Sequence, residues 1–125
     1  MTKRSKTIIA TLWGGLGNQL FIYAANRRLS VKSGLSLYLD DESGFLNDRK
    51  YKRSNNLNNF LIPFYQENKH LESKKRINRF ERKIKKHVNQ ILPLNYRNYL
   101  IQKRVDFDNR ILKITPSRSI RIEGY

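Results

Sequence analysis

Between positions 14 and 19 the chain reads Gly14-Gly15-Leu16-Gly17-Asn18-Gln19, the one stretch whose residue types and spacing could do chemistry. Glycines leave backbone N–H groups unshielded, so a ligand can approach them closely. Where such a turn opens a helix, the first N–H groups have no intrahelical partner and form the positive end of the helix dipole, which suits an anion such as a phosphate. Asn18 is the expected N-cap, and the amides of Asn18 and Gln19 can bind a phosphate oxygen or a sugar hydroxyl. The competing reading is a tight turn whose glycines only let a strand and a helix pack.

Two familiar phosphate motifs do not fit. A P-loop needs Lys and then Ser or Thr after its last glycine, where this chain has Asn18 and Gln19. The dinucleotide fingerprint needs a third glycine where Leu20 stands; Asp40, about 20 residues on, is its one surviving feature.

The elements around the turn follow from the apolar pattern. Ile8, Ile9, Ala10, Thr11, Leu12 and Trp13 form a short, partly β-branched run ended by glycines, as in a strand buried on both faces. Leu16, Leu20, Ala24 and Arg28, with Phe21, Ala25 and Leu29 beside them, predict a helix over about residues 18–32. Gly34 is placed for the left-handed C′ position, and Lys32 for the negative helix end. Leu35, Leu37 and Leu39 alternate with Ser36, Tyr38 and Asp40 as a second strand. The unit is βαβ, with parallel strands and a right-handed crossover, and the fold class is α/β.

Further on, residues 40–59 read as a long polar loop that Phe45, Leu46, Tyr51 and Leu57 could anchor, followed by a short buried element over residues 60–64. Residues 69–88 predict a helix with a narrow stripe of Leu71, Ile77, Phe80, Ile84 and Val88 and a cationic outer face. Tyr96, Tyr99, Leu100 and Ile101 suggest another apolar patch, continued by Val105 and Phe107. The alternation Ile120, Arg121, Ile122, Glu123 predicts a half-buried strand over residues 119–125. The chain thus divides into a βαβ core and loop (1–66), a basic helical segment (67–110) and a return to the sheet (111–125).

Composition bounds the function. The 125 residues suffice for one modest domain. There is no cysteine, hence no disulfide framework and no thiolate chemistry, and a cytoplasmic setting is the default. No apolar run approaches the roughly 18 residues of a membrane-spanning helix. A net charge of +16 attracts phosphates of any kind, whether in nucleic acid, lipid head groups or a nucleotide-sugar. His70 and His87 lie in the basic segment with no carboxylate placed to tune them, and read as incidental.

At full length, Gly14 to Phe21 with Tyr23-Ala24 resembles the opening signature of family 11 α-1,2-fucosyltransferases. The likeness continues through Arg28, Leu29, Gly34, Leu37 to Asp40, Asp48, Tyr51, Lys52, Arg53, Leu57, Phe60 and Ile62, and returns at Ile122-Glu123-Gly124-Tyr125. It implies a Rossmann-like N-terminal half of a GT-B glycosyltransferase, a parallel sheet with flanking helices. The implied activity is inverting transfer of fucose from GDP-fucose to the 2-hydroxyl of a terminal galactoside, without a metal or other cofactor.

By the same resemblance, donor binding falls to Gly14, Gly15, Leu16, Gly17, Asn18 and Gln19. Asp40, Asp48, Tyr51 and Arg53 either contact the acceptor or anchor their loop, and for Asp40 a solvated strand-end carboxylate is the preferred reading. The family's His-x-Arg-Arg-Gly-Asp motif lies in a second, donor-gripping domain and has no counterpart here, so catalytic residues are expected outside these 125 and the isolated chain should be inactive. The implied partners are GDP-fucose and a galactose-terminated glycan, lipid-linked in one version. That version suits peripheral contact of residues 69–86 with the inner membrane face. A basic nucleic-acid-binding module is the alternative from another class, disfavoured because no RNA-binding signature is present.

Overall fold

The structure, a computed structural model, describes residues 6–62, 78–102, 106 and 108–124. In chain order the elements are β1 (Thr7–Thr11), α1 (Leu16–Ser33), β2 (Ser36–Asp40), a 3₁₀ turn (Leu57–Asn59), α2 (Arg79–Ile91), a second 3₁₀ turn (Leu94–Tyr96), β3 (Tyr99–Ile101), α3 (Arg110–Lys113) and β4 (Ile120–Glu123). The four strands form one all-parallel sheet in the order β2-β1-β4-β3, an α/β architecture of the kind read from the sequence.

Register sorts the side chains into two unlike faces. Ile8 lies beside Leu37 and Ile120, and Ala10 beside Leu39 and Ile122, so one face is wholly aliphatic. Ile22 and Leu29 of α1 and Ile111 of α3 complete the buried cluster on that side. The same registers bring Thr11 beside Asp40 and Glu123, and Arg121 beside Ile9 and Tyr99, so the opposite face carries charge. This is the side α2 covers, since its Arg82 reaches Glu123 and Tyr99. Connection order explains the layering. β1 to β2 and β3 to β4 each step one strand in the same direction and put α1 and α3 on one side, whereas the step back from β2 to β3 puts α2 on the other.

Several expectations need correction. Helix α1 begins at Leu16, with Gly15 as its N-cap and no side-chain cap, so Asn18 lies inside the first turn. Its buried face is Gln19, Ile22, Asn26, Leu29 and Ser30, whereas Leu16, Leu20 and Phe21 of the predicted stripe face outward. The helix is apolar on several sides, so periodicity could not choose the face. Two of its three buried polar residues find partners locally: Asn26 donates to the Ile22 carbonyl at 2.8 Å and Ser30 to the Leu35 carbonyl at 2.6 Å. The C-cap behaves as expected, with Gly34 at φ 69° and its N–H on the Ser30 carbonyl.

In the basic segment, α2 starts at Arg79 behind an Asn78 cap that accepts from the Glu81 N–H at 2.7 Å. Phe80, Ile84 and Val88 are exposed and the buried residue is Asn89, the reverse of the predicted core-facing stripe; Leu71 and Ile77 lie outside the described residues. Strand β3 falls within the span read as helical. In the short element read over residues 60–64, Phe60 and Leu61 are exposed while Ile62 packs against the core, and Pro63, Phe64, Val105 and Phe107 lie outside the described residues. Strand β4 is buried on both faces, because it sits in the sheet interior between β1 and β3.

Candidate functional site

The glycine turn leaves β1 at the carboxyl end of the sheet, where ligands bind in open α/β folds. The first intrahelical bond of α1 runs from the Gln19 N–H to the Gly15 carbonyl at 3.1 Å. The N–H groups of Leu16, Gly17 and Asn18 therefore precede the hydrogen-bonded part of the helix, and all three residues are exposed. No acidic side chain occupies the first turn, so the positive helix end is not neutralised from within. A Cβ added at Gly15 or Gly17 would meet nothing within 4 Å, so these glycines are not required for packing. Gly14 is different. It has φ 74°, and a Cβ there would strike the Asn18 side-chain amide, which folds back over it.

Gln19 has a structural role that the sequence reading missed. Its side chain is fully buried, and Nε2 donates to the Gly14 carbonyl at 2.9 Å and the Ser54 carbonyl at 3.0 Å. Oε1 accepts from the Asn56 N–H at 2.9 Å. All its polar atoms are thereby engaged with backbone, and Gln19 fastens the loop after β2 across the base of the glycine turn. A binding role for its amide is corrected to a positioning one. The loop also meets β1 at Gly44, where a Cβ would lie 2.0 Å from the Leu12 carbonyl oxygen, so only glycine allows that contact.

The loop residues separate into anchors and surface groups. Asp40 is not a solvated carboxylate: it is 0% exposed, and Oδ2 accepts from Arg121 Nη1 at 2.5 Å. Oδ1 accepts from the Glu42 and Ser43 N–H groups at 3.1 and 2.9 Å, which starts the loop. Arg121 Nη1 also donates to Thr11 Oγ1 at 3.1 Å, so β1, β2 and β4 are tied together at their carboxyl ends. A carboxylate so occupied serves as an anchor, not as the base for an acceptor hydroxyl. Asp48 likewise binds its own loop, accepting from the Tyr51 N–H at 3.1 Å and the Arg53 N–H at 3.4 Å. Tyr51 and Arg53 stay exposed, with the guanidinium 4.2 Å from the ring centroid, and Arg53 immediately precedes the Ser54 that Gln19 holds. Of the four named loop residues, these two face solvent. Leu57 and Phe45 pack into the core as the anchors expected, while Leu46 and Tyr51 do not.

The chain matches no protein-family model, no curated protein and no solved structure, so the site rests on its own residues.

A second polar group lies farther along the charged face. Arg82 Nε donates to Glu123 Oε2 at 2.8 Å and to the Tyr99 hydroxyl at 3.3 Å. Burial, then the hydrogen bond and negative charge of Glu123, push the Tyr99 hydroxyl well above the ordinary phenol range. For Arg82 burial works the other way, but the Glu123 charge and the bonds to Tyr99 and Glu123 outweigh it and raise its pKa. Sequence reasoning missed Arg82, Tyr99, Arg121 and Glu123. The available signal was the alternation Arg121, Ile122, Glu123: in a strand buried on both sides these charges require partners, and Asp40 ends a neighbouring strand. Among the described residues no group of three His, Asp or Glu could hold a metal ion, and no helix is long and apolar enough to cross a membrane.

Proposed function

We propose that the glycine turn is the first-domain half of a nucleotide-sugar site, receiving the diphosphate of GDP-fucose in an inverting transfer of fucose to the 2-hydroxyl of a terminal galactoside. The observation that carries this reading is the outward-facing first turn of α1, with the N–H groups of Leu16, Gly17 and Asn18 at the sheet's carboxyl end and open space above Gly15 and Gly17. An anion fits such a turn, because the N–H groups and the helix dipole are fixed before it arrives. The choice of GDP-fucose among anions rests on the likeness of Gly14 to Phe21, with its later positions in order, to family 11 fucosyltransferases.

In this reaction the acceptor oxygen bonds to the anomeric carbon as the bond to the diphosphate breaks, GDP leaves and the hydroxyl proton passes to a base outside these residues or to water, so β-linked fucose becomes an α-1,2 product. The chain's part is to stabilise charge on the departing diphosphate through fixed N–H donors. Asn18, whose amide borders the turn, can add a contact to the fucose or phosphate. Gln19 and the Asp40–Arg121 pair hold the turn and its neighbouring loop in place. No sequence like the family's arginine motif is present in these 125 residues, so they bind the donor weakly and do not turn it over.

The test is amide-resolved NMR of the chain titrated with GDP-fucose, GDP and inorganic phosphate. Shifts centred on Leu16, Gly17 and Asn18, larger for GDP-fucose than for phosphate and lost in Gly17→Val, are expected. Shifts elsewhere, no response at millimolar ligand, or measurable fucose transfer by the chain alone contradict the proposal.

A further inference from the structure

Helix α2 lies on the sheet through its hydrophilic side. Arg82 binds Glu123 at 2.8 Å, and the buried Asn89 donates to Asn98 Oδ1 at 2.9 Å and accepts the backbone N–H groups of Asn98 and Tyr99 at 2.9 and 3.2 Å. With about 100° per residue, Phe80, Ile84, Val88 and Ile91 share an arc of about 80° centred about 150° from the side that Arg82 and Asn89 turn to the sheet. Exposure agrees, at 74% for Phe80 and 86% for Ile91. The helix therefore holds a continuous apolar stripe outward while its polar side is tied down. Four more basic residues, Arg79, Lys83, Lys85 and Lys86, share the helix with a single acid, Glu81.

We propose that α2 docks the protein on an anionic lipid surface, with the stripe seated at the boundary of head groups and acyl chains and Lys83 and Lys85, about 100° to either side of it, against lipid phosphates. This does not depend on which ligand the glycine turn holds. An apolar face bordered by cations matches an interfacial helix. Charge complementarity decides among occupants. A second copy would bring another +16 to the same surface, and a nucleic acid would engage the cations without needing Phe80, Ile84, Val88 or Ile91. The polar tethers to Glu123, Asn98 and Tyr99 let the stripe meet lipid without disturbing the sheet.

Flotation of the full chain with phosphatidylcholine vesicles, pure or containing about one-third phosphatidylglycerol, tests the proposal. Association with the anionic vesicles only, weakening as salt is raised, is expected. Ile84→Asp should reduce it about tenfold or more and Lys83→Glu should also reduce it, with the unfolding temperature unchanged because these side chains are exposed. Val88→Ser serves as a second stripe variant should Ile84→Asp disturb the fold. No association with anionic vesicles at low salt, or association indifferent to the stripe variants, overturns the proposal. So does a dimer in sedimentation that Ile84→Asp dissociates, which makes a second copy the occupant, or binding to single-stranded RNA by a chain that ignores anionic vesicles.

Discussion

Replacing Gln19 by alanine removes three hydrogen bonds that join the glycine turn to the loop after β2. The bond to the Gly14 carbonyl is buried, so its loss leaves an acceptor without water, at a cost of about 1–3 kcal/mol. The bonds to the Ser54 carbonyl and the Asn56 N–H are only part-buried and contribute about 0.5–1.5 kcal/mol each. Losses within one network are not additive, and a total of about 3 kcal/mol is expected. At about 2.1 cal/mol/K per residue, unfolding entropy for 125 residues is about 0.26 kcal/mol/K, so the melting temperature should fall by about 11 °C. Urea denaturation measures the free energy, and hydrogen exchange at the Asn56 amide reports the loop directly. Gln19→Glu keeps the shape and the acceptor but sets a carboxylate oxygen against two carbonyls, so it should destabilise at least as much. A loss below about 1 kcal/mol for Gln19→Ala, with unchanged Asn56 exchange, would refute the assignment of Gln19 as the clamp.

Three further outcomes are expected. Asp40→Asn leaves the Arg121 guanidinium buried without its counter-charge and should cost about 3–5 kcal/mol in denaturant unfolding, as should Arg121→Met, while Asp40→Leu with Arg121→Met together should recover most of it. The Tyr99 hydroxyl holds its proton more tightly folded than unfolded, so its contribution to stability is complete below the unfolded phenol pKa of about 10 and is lost as pH rises above it; Tyr99→Phe should flatten that alkaline decline in unfolding free energy between neutral and strongly alkaline pH. Gly17→Ala meets open space inside a helix, so thermal unfolding should show a change within about 0.5 kcal/mol or a slight gain; a large loss would make Gly17 a packing glycine after all.

Local pattern was enough for the first half of the fold. The apolar run ending at glycines, the Gly34 stop and the alternation into Asp40 specify β1, α1 and β2 because each is set by neighbours in sequence: β-branched residues, a residue free to take positive φ, a period of two. The glycine turn was legible for the same reason, as was its place between a strand and a helix.

What only the tertiary structure decided is where polar groups go. Gln19, Asp40, Arg121 and Glu123 look solvent-facing in one dimension, yet all are buried, because partners from 35 to 110 residues away satisfy them. The inverted faces of α1 and α2 have the same origin. A helix turns inward the side that its neighbours complete best, and in α2 the buried bonds of Asn89 and the Arg82–Glu123 pair prevail over the hydrophobic stripe. Composition determined that this chain carries a net charge of +16 and so attracts anions. Sheet order, which no local signal contains, determined that the charged face of the sheet is spent on holding it together and that the glycine turn and the outer side of α2 are left to face the surroundings.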